Sequence, residues 1–221
     1  MTVGVAAICE QGKYVVMAAD TMQSIGRPYL IEFEHRSRTK ITKGPFDKCA
    51  VSVAGLTAAS SELLAAVAEQ VGKFPARPMR EMIGLLERCY QELRVRKIEE
   101  EFLWRHGMYD LRHLRQWESE LLDDVVLDFQ KEIESFDPEL ELLVGAIGED
   151  GAHLHVVKNP GKSECFDALG YCAIGSGGRH ALTSLVRSGC SPNVSLPDGV
   201  MIVLEAKIHA ERAPGVGAAT D

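Results

Sequence analysis

The first twenty residues constrain this chain most. Two apolar, β-rich runs, one opening almost at the terminus and reaching Cys9, the other Tyr14-Val15-Val16-Met17-Ala18-Ala19, flank the turn-forming Glu10-Gln11-Gly12-Lys13. The pattern predicts a hairpin that ends at Asp20. Termini usually fray unless something ties them down, so a strand that begins at residue 2 gives that residue a fixed place. A small second residue such as Thr2 generally permits removal of Met1, and removal leaves an amine and a hydroxyl on one residue. The reference pKa of an α-amino group is about 7.7–8.0, so near neutral pH part of it is unprotonated and can accept the hydroxyl proton. Thr2 is therefore a candidate nucleophile carrying its own base, against the plainer reading of a β-former at a strand start.

The class of protein follows from length and balance. A chain of 221 residues with 46% hydrophobic and 25% charged residues has the composition of a globular protein, with enough length to bury a substantial core in one domain, 1–221. No apolar run reaches the ~18–20 residues of a membrane span, and the first twenty residues lack the basic start and cleavage site of a secretory signal, so a cytoplasmic protein without membrane contact is expected. A net charge of −8 offers no basic footprint for nucleic acid. Cys9, Cys49, Cys89, Cys165, Cys172 and Cys190 contain no C-x-x-C pair, so they read as reduced core residues rather than zinc ligands or a disulfide framework.

Beyond Asp20, residues 21–39 are polar, with a turn marked by Gly26 and Pro28 among Arg27, Arg36 and Arg38, and read as a loop or short hairpin. Lys40-Ile41-Thr42-Lys43, a turn at Gly44-Pro45-Phe46-Asp47 and the run Cys49–Ala54 before Gly55 form a second hairpin. The period then changes: Leu56, Leu63, Leu64, Val67, Ala68 and Val71 share a helix face that stops near Gly72 and Pro75.

This ordered set resembles the N-terminal-nucleophile (Ntn) hydrolases of the proteasome β-subunit type, including the bacterial peptidase that pairs with a hexameric unfoldase. The matching features are a mature chain starting with threonine, a second strand ending in Ala18-Ala19-Asp20, a lysine opening a strand, and an Ala54-Gly55 step into a helix. The resemblance implies that Thr2 is the nucleophile, that Asp20 holds Lys40 beside it, and that Lys40 lowers the pKa of the amine and hydroxyl. It also implies that the Gly55 N–H donates to the oxyanion. Lys43 is a rival to Lys40, but Lys40 fits the spacing to Gly55 better. Val53, with Thr57, corresponds to the substrate-binding pocket, which suggests cleavage after apolar side chains. The step Gly175-Ser176-Gly177 is similar to one whose serine lies near the nucleophile, so Ser176 is given a supporting catalytic role. The same step fails as a phosphate loop, since no Gly-Lys-Ser/Thr follows and His180 stands where glycine would be needed.

Residues 75–138 depart from the family. Met79, Met82, Ile83, Leu86, Tyr90 and Leu93 form one helical stripe, and Leu114, Trp117, Leu121, Leu122, Val125, Phe129 and Ile133 form another from about Asp110, with Gly107 between them. We read residues 90–137 approximately as an extended helical hairpin whose Trp/Phe stripe a lone hairpin could not fully cover. Strands return at Leu140–Ile147 and Ala152–Val157. His153 and His155 share a face and could chelate a metal, but with no third ligand at a helpful spacing they read as surface histidines, and no metal site is expected. A last helix starts at Ser195-Leu196-Pro197-Asp198. After it, where active family members carry an aspartate and a serine near the threonine amine, this chain reads Arg212-Ala213-Pro214-Gly215-Val216-Gly217.

The expected fold is α+β, a four-layer αββα sandwich with the extended helical hairpin. The expected activity is a threonine-type endopeptidase needing no cofactor. It would act on peptides or unfolded protein as a homo-oligomeric ring, with an ATPase unfoldase as a possible partner. The alternative is a catalytically impaired subunit with a structural role in such a ring.

Overall fold

The computed structural model describes residues 2–25, 31–34, 39–44, 46, 48–72, 78–117 and 123–221; the side chains at 23–25, 31–32, 57 and 72 lie outside what it describes. The turn expected around Gly26, Pro28 and the three arginines, and the positions Pro45, Asp47, Pro75, Leu121 and Leu122, fall outside the described residues.

The N-terminal hairpin forms as the sequence requires, with β1 (Gly4–Cys9) paired antiparallel to β2 (Tyr14–Ala19). β1 is buried on both faces, which is why it reads as an unbroken apolar run rather than an alternating one. Val3, Val5 and Ala7 face one helical layer, while Ala6 and Ile8 face a second sheet. A short hairpin, β3 (Met22–Ile25) with β4 (Ile31–Glu34), follows. β5 (Ile41–Lys43) and β6 (Cys49–Gly55) make the next pair.

Helix α1 (Thr57–Gly72) buries Ala59, Leu63 and Val67, whereas Leu56, one residue before it, is exposed. Helix α2 (Met79–Glu101) lies against it and buries the predicted stripe of Ile83, Leu86, Tyr90 and Leu93. β7 (Leu140–Ile147), β8 (Ala152–Lys158) and β9 (Lys162–Cys165) complete a five-stranded antiparallel sheet of order β5-β6-β7-β8-β9. β10 (Tyr171–Ile174) returns to the other side of β1, giving the order β10-β1-β2. Helices α5 (Gly178–Arg187) and α6 (Leu196–Ala210) pack on that smaller sheet.

Three hydrophobic interfaces therefore stack in sequence: α1 and α2 on the five-stranded sheet, sheet on sheet, and the smaller sheet on α5 and α6. This is the expected α+β, four-layer αββα sandwich. Small residues allow the inner sheets to approach, with Ala6, Ala54 and Cys172 among the buried side chains between them. Tyr90 ties the outer layer down, because its hydroxyl, on a fully buried ring, donates to the Leu140 carbonyl at 2.7 Å. Tyr90→Phe should cost about 1–2 kcal/mol by leaving that carbonyl short of a partner. Thermal unfolding should register a fall of roughly 2–6 °C; an unchanged midpoint would remove this bond from the account.

In the helical extension, α3 (Leu111–Trp117) and α4 (Asp123–Ser135) lie on the predicted second stripe within the described residues, with Asp110 capping α3 through the His113 N–H at 2.7 Å. The Trp/Phe stripe itself is divided. Phe129 sits edge-on to Phe102 with ring centres 5.5 Å apart, inside a small core built on Ile98, Leu103 and Met108. Trp117 stays 47% exposed. The reason is the length of α2, whose last turns and the following 3-10 turn (Leu103–His106) bring Ile98, Phe102 and Leu103 to cover α4. Arg94 anchors the extension, donating from Nη2 to the Ile133 carbonyl at 2.7 Å and from Nε to Asn159 Oδ1 at 2.9 Å.

Candidate active site

Asp20, at the end of β2, is fully buried and accepts five hydrogen bonds. Its Oδ1 takes the Thr2 hydroxyl at 2.8 Å, the Val3 N–H at 2.9 Å and Lys40 Nζ at 3.0 Å. Its Oδ2 takes the N–H groups of Met22 at 3.1 Å and Gly217 at 3.0 Å. Five donors converging on one buried carboxylate satisfy its oxygens and fix whatever donates to it.

Thr2 is held from the other side by the turn after β10. Its amide N–H donates to Ser176 Oγ at 3.2 Å, and the Ser176 hydroxyl and Gly177 N–H approach the Thr2 carbonyl at 3.3 and 3.2 Å. That approach needs glycine at 175, where φ is +80° and a Cβ would collide with the Thr2 carbonyl. Removal of Met1 converts the amide that now faces Ser176 into the amine on which the proposed chemistry depends.

Lys40, not Lys43, meets Asp20. Lys40 lies in the bend before β5 with its side chain 10% exposed, while Lys43 is exposed. Burial outweighs the pull of the Asp20 carboxylate and holds the Lys40 ammonium below the usual lysine range. A cavity of about 400 Å³ opens beside Thr2, lined also by Gly55, Glu141, Asn159, Gly175 and Ser176. Gly55 is required there: its φ is +113°, and a Cβ would strike the Glu139 carbonyl. Across Glu141 and Gly175, which are joined by a 2.7 Å hydrogen bond, a second groove of about 580 Å³ runs along α5.

Thr2, Asp20, Lys40, Gly55 and Ser176 thus come from five separate stretches to one place. Val53 does not line the cavity; it packs among the residues between the five-stranded sheet and α1, as its alternation with Ala54 dictates. Thr57 opens α1, and its side chain lies outside the described residues.

Several supporting residues escaped the sequence reading. Glu34 Oε1 accepts the N–H groups of Ala218 and Ala219, Asp221 pairs with Ala19, and the Asp221 carboxylate accepts the Ile41 N–H at 2.8 Å. Lys207, fully buried on α6, donates to Glu211 at 2.8 Å and to the Ala218 carbonyl at 2.7 Å. The segment that lacks the family's aspartate and serine therefore reaches the site through its backbone.

The cysteines offer no rival nucleophile near Thr2. Burial pushes the thiols of Cys49 and Cys172 up to about 12 and that of Cys190 to about 11. The histidine reading needs correction: His153 and His155 are partly buried, and the turn after β9 brings Asp167 to them as a third potential ligand. Asp167 stands twelve positions after His155 in sequence, a distance closed by strand pairing and invisible to local spacing.

Solved structures share this αββα sandwich. An Anbu (Gly-1) mutant from Hyphomicrobium sp. strain MC1 matches with a TM-score of 0.65 at 16% identity, covering 100% of this chain and 79% of that one. Anbu (ancestral beta-subunit) from Yersinia bercovieri gives 0.65, 16%, 100% and 79%. Eukaryotic HslV from Trypanosoma brucei gives 0.59 at 18% identity, covering 100% of this chain and 97% of that one. At these identities the likeness is one of fold. No protein-family model matches the sequence, and no curated protein matches it. Among the described residues, no helix is long and apolar enough to cross a membrane.

Proposed function

We propose that this chain is a proteasome-like threonine endopeptidase that cuts peptide bonds with the Thr2 hydroxyl after Met1 is removed. The observation that carries this reading is the convergence of Thr2 Oγ1 and Lys40 Nζ on one oxygen of Asp20, at 2.8 and 3.0 Å, beside a cavity that also reaches Gly55 and Ser176. The Thr2 amine takes the hydroxyl proton as Oγ1 bonds to the substrate carbonyl carbon. Lys40 lowers the cost of negative charge on that oxygen, and the Gly55 N–H donates to the oxyanion. Collapse of the intermediate breaks the C–N bond, and the ammonium returns its proton to the departing amine. Water, activated by the same amine, then hydrolyses the ester. Ser176 holds the amine in line.

A structural subunit needs none of Thr2, Asp20, Lys40 or their mutual contacts, and their retention weighs against that alternative. The groove along α5, with Ala173, Leu182 and Val186, offers apolar contacts to an extended peptide or unfolded protein. The deciding first measurement is the intact mass of the purified protein. Loss of Met1 is expected; complete retention would leave Thr2 without its base and overturn the mechanism.

A homo-oligomeric ring is part of the same proposal, supported by the fold shared with Anbu and HslV, with an ATPase unfoldase as the partner class that would supply unfolded chains. Sedimentation should give a multimer, weakened by Trp117→Glu because Trp117 is exposed whereas Phe129 is internal. A monomeric wild type would refute the ring.

A further inference from the structure

The partly buried cluster on the helix-facing side of β8 has no part in the proposed peptidase chemistry. His153 and His155 project from the same face of the strand, and with Asp167 each offers one ligand atom, all within 4.8 Å of one another. Nδ1 of His155 is buried and has no hydrogen-bond partner. A buried imidazole nitrogen left unpaired is costly and calls for an occupant.

The surroundings are organised as a ligand shell. Asp167 Oδ2 lies 2.7 Å from His153 Nδ1, while its Oδ1 accepts the Leu154 N–H at 2.7 Å. On the far side of the ring, His153 Nε2 meets Asp150 Oδ1 at 2.9 Å. The turn that carries Asp150 leaves room for it, since a Cβ on Gly148 would press on Asp150 and His153. A carboxylate holding the outer nitrogen of a histidine whose inner nitrogen faces a second carboxylate is the pattern by which proteins orient metal-ligating imidazoles.

We propose that His153, His155 and Asp167 form a binding site for one divalent zinc-class ion, separate from Thr2. Two nitrogens and one carboxylate oxygen suit Zn(II), and three protein ligands leave a fourth position for water. The ion takes the place of the proton between His153 Nδ1 and Asp167, and Asp150 keeps the hydrogen bond to Nε2. Ligands on tetrahedral zinc at about 2.0–2.1 Å stand about 3.3 Å apart. Asp167 and His153, now 2.7 Å apart, need separate by only about half an ångström, within reach of a side-chain adjustment. The site joins β8 to the turn beyond edge strand β9. Along β8 its two histidines stand three and five residues, or roughly 10 and 17 Å of strand, from Lys158, which lines the cavity beside Thr2.

The test is titration of EDTA-treated, dialysed protein with Zn(II) by calorimetry, alongside thermal unfolding with and without Zn(II). One equivalent should bind with micromolar or tighter affinity and raise the unfolding midpoint by mass action. His155→Ala and Asp167→Asn should each weaken binding at least ~10-fold, and His180→Ala, at an exposed histidine on α5, should leave it unchanged. Because a variant could lose binding by misfolding, circular dichroism and the metal-free melting curve of each are compared with wild type. Absence of a one-equivalent site in the wild type would overturn the proposal. So would binding undiminished in folded His155→Ala and Asp167→Asn, or binding weakened as much by His180→Ala. None of these outcomes depends on peptidase activity, so this site and the Thr2 mechanism stand or fall separately.

Discussion

Thr2→Ala is expected to abolish hydrolysis of fluorogenic peptides by the processed protein, lowering kcat by at least ~10⁴-fold, the scale of losing a nucleophile outright. The variant keeps the α-amine, Asp20, Lys40 and the backbone contacts to the 175–177 turn, so a loss isolates the hydroxyl. Thr2→Ser should retain part of the activity. It keeps the hydroxyl but loses the methyl that lies against Gly175, and with it the β-branch that restricts rotation about χ1. Equal turnover in wild type and Thr2→Ala, with Met1 shown to be absent by mass, would sink the mechanism.

Lys40→Ala should lower kcat at least ~100-fold, the magnitude of one positioned electrostatic or proton-transfer group. Lys43→Ala, altering an exposed side chain, should stay within a few-fold of wild type. Asp20 keeps four other donors in Lys40→Ala, so its buried charge is not abandoned and the variant should fold, as circular dichroism can check. The pH profile gives a second reading. Activity should rise with pH as the Thr2 amine loses its proton, below its reference pKa of about 8 because the Lys40 charge disfavours the ammonium. It should then fall as Lys40 is neutralised. Because burial lowers the Lys40 pKa, that alkaline limb should begin below the ordinary lysine value of about 10.4, not above it. An activity that keeps climbing beyond that value, or a silent Lys40→Ala beside a damaging Lys43→Ala, would move the catalytic role away from Lys40.

The parts of the site legible in the sequence are those with a local signature. Thr2 and Lys40 stand just before strands, Asp20 just after one, and Gly55 and Ser176 at strand-to-helix turns. Each feature has a period or a breaker next to it. Gly217 had none, because a backbone N–H is the same in every residue but proline. Nothing in Val216-Gly217-Ala218 announces a bond to a carboxylate 197 positions earlier. Asp167 was missed for a related reason, since its meeting with His153 and His155 follows from the β8–β9 register. The helical extension was visible as two stripes, but which apolar side chains cover one another depends on how far α2 runs before Gly107 ends it. Val53 was placed by correspondence, while the alternation along β6 turns it toward α1.

The bond from Gly217 to Asp20 also bears on the order in which the molecule can be made. On the proposed mechanism a ribosome delivers Thr2, the nucleophile, long before the segment that completes its surroundings. Asp20 acquires its fifth donor, and β2 its partner at Thr220, only when residues 217–221 have been added and folded back. Lys207 draws that segment in from α6, itself among the last elements to emerge. The growing chain therefore carries Thr2 without a completed carboxylate behind it until the segment 197 positions beyond Asp20 has been made and folded back, so the support behind Thr2 is a late product of folding.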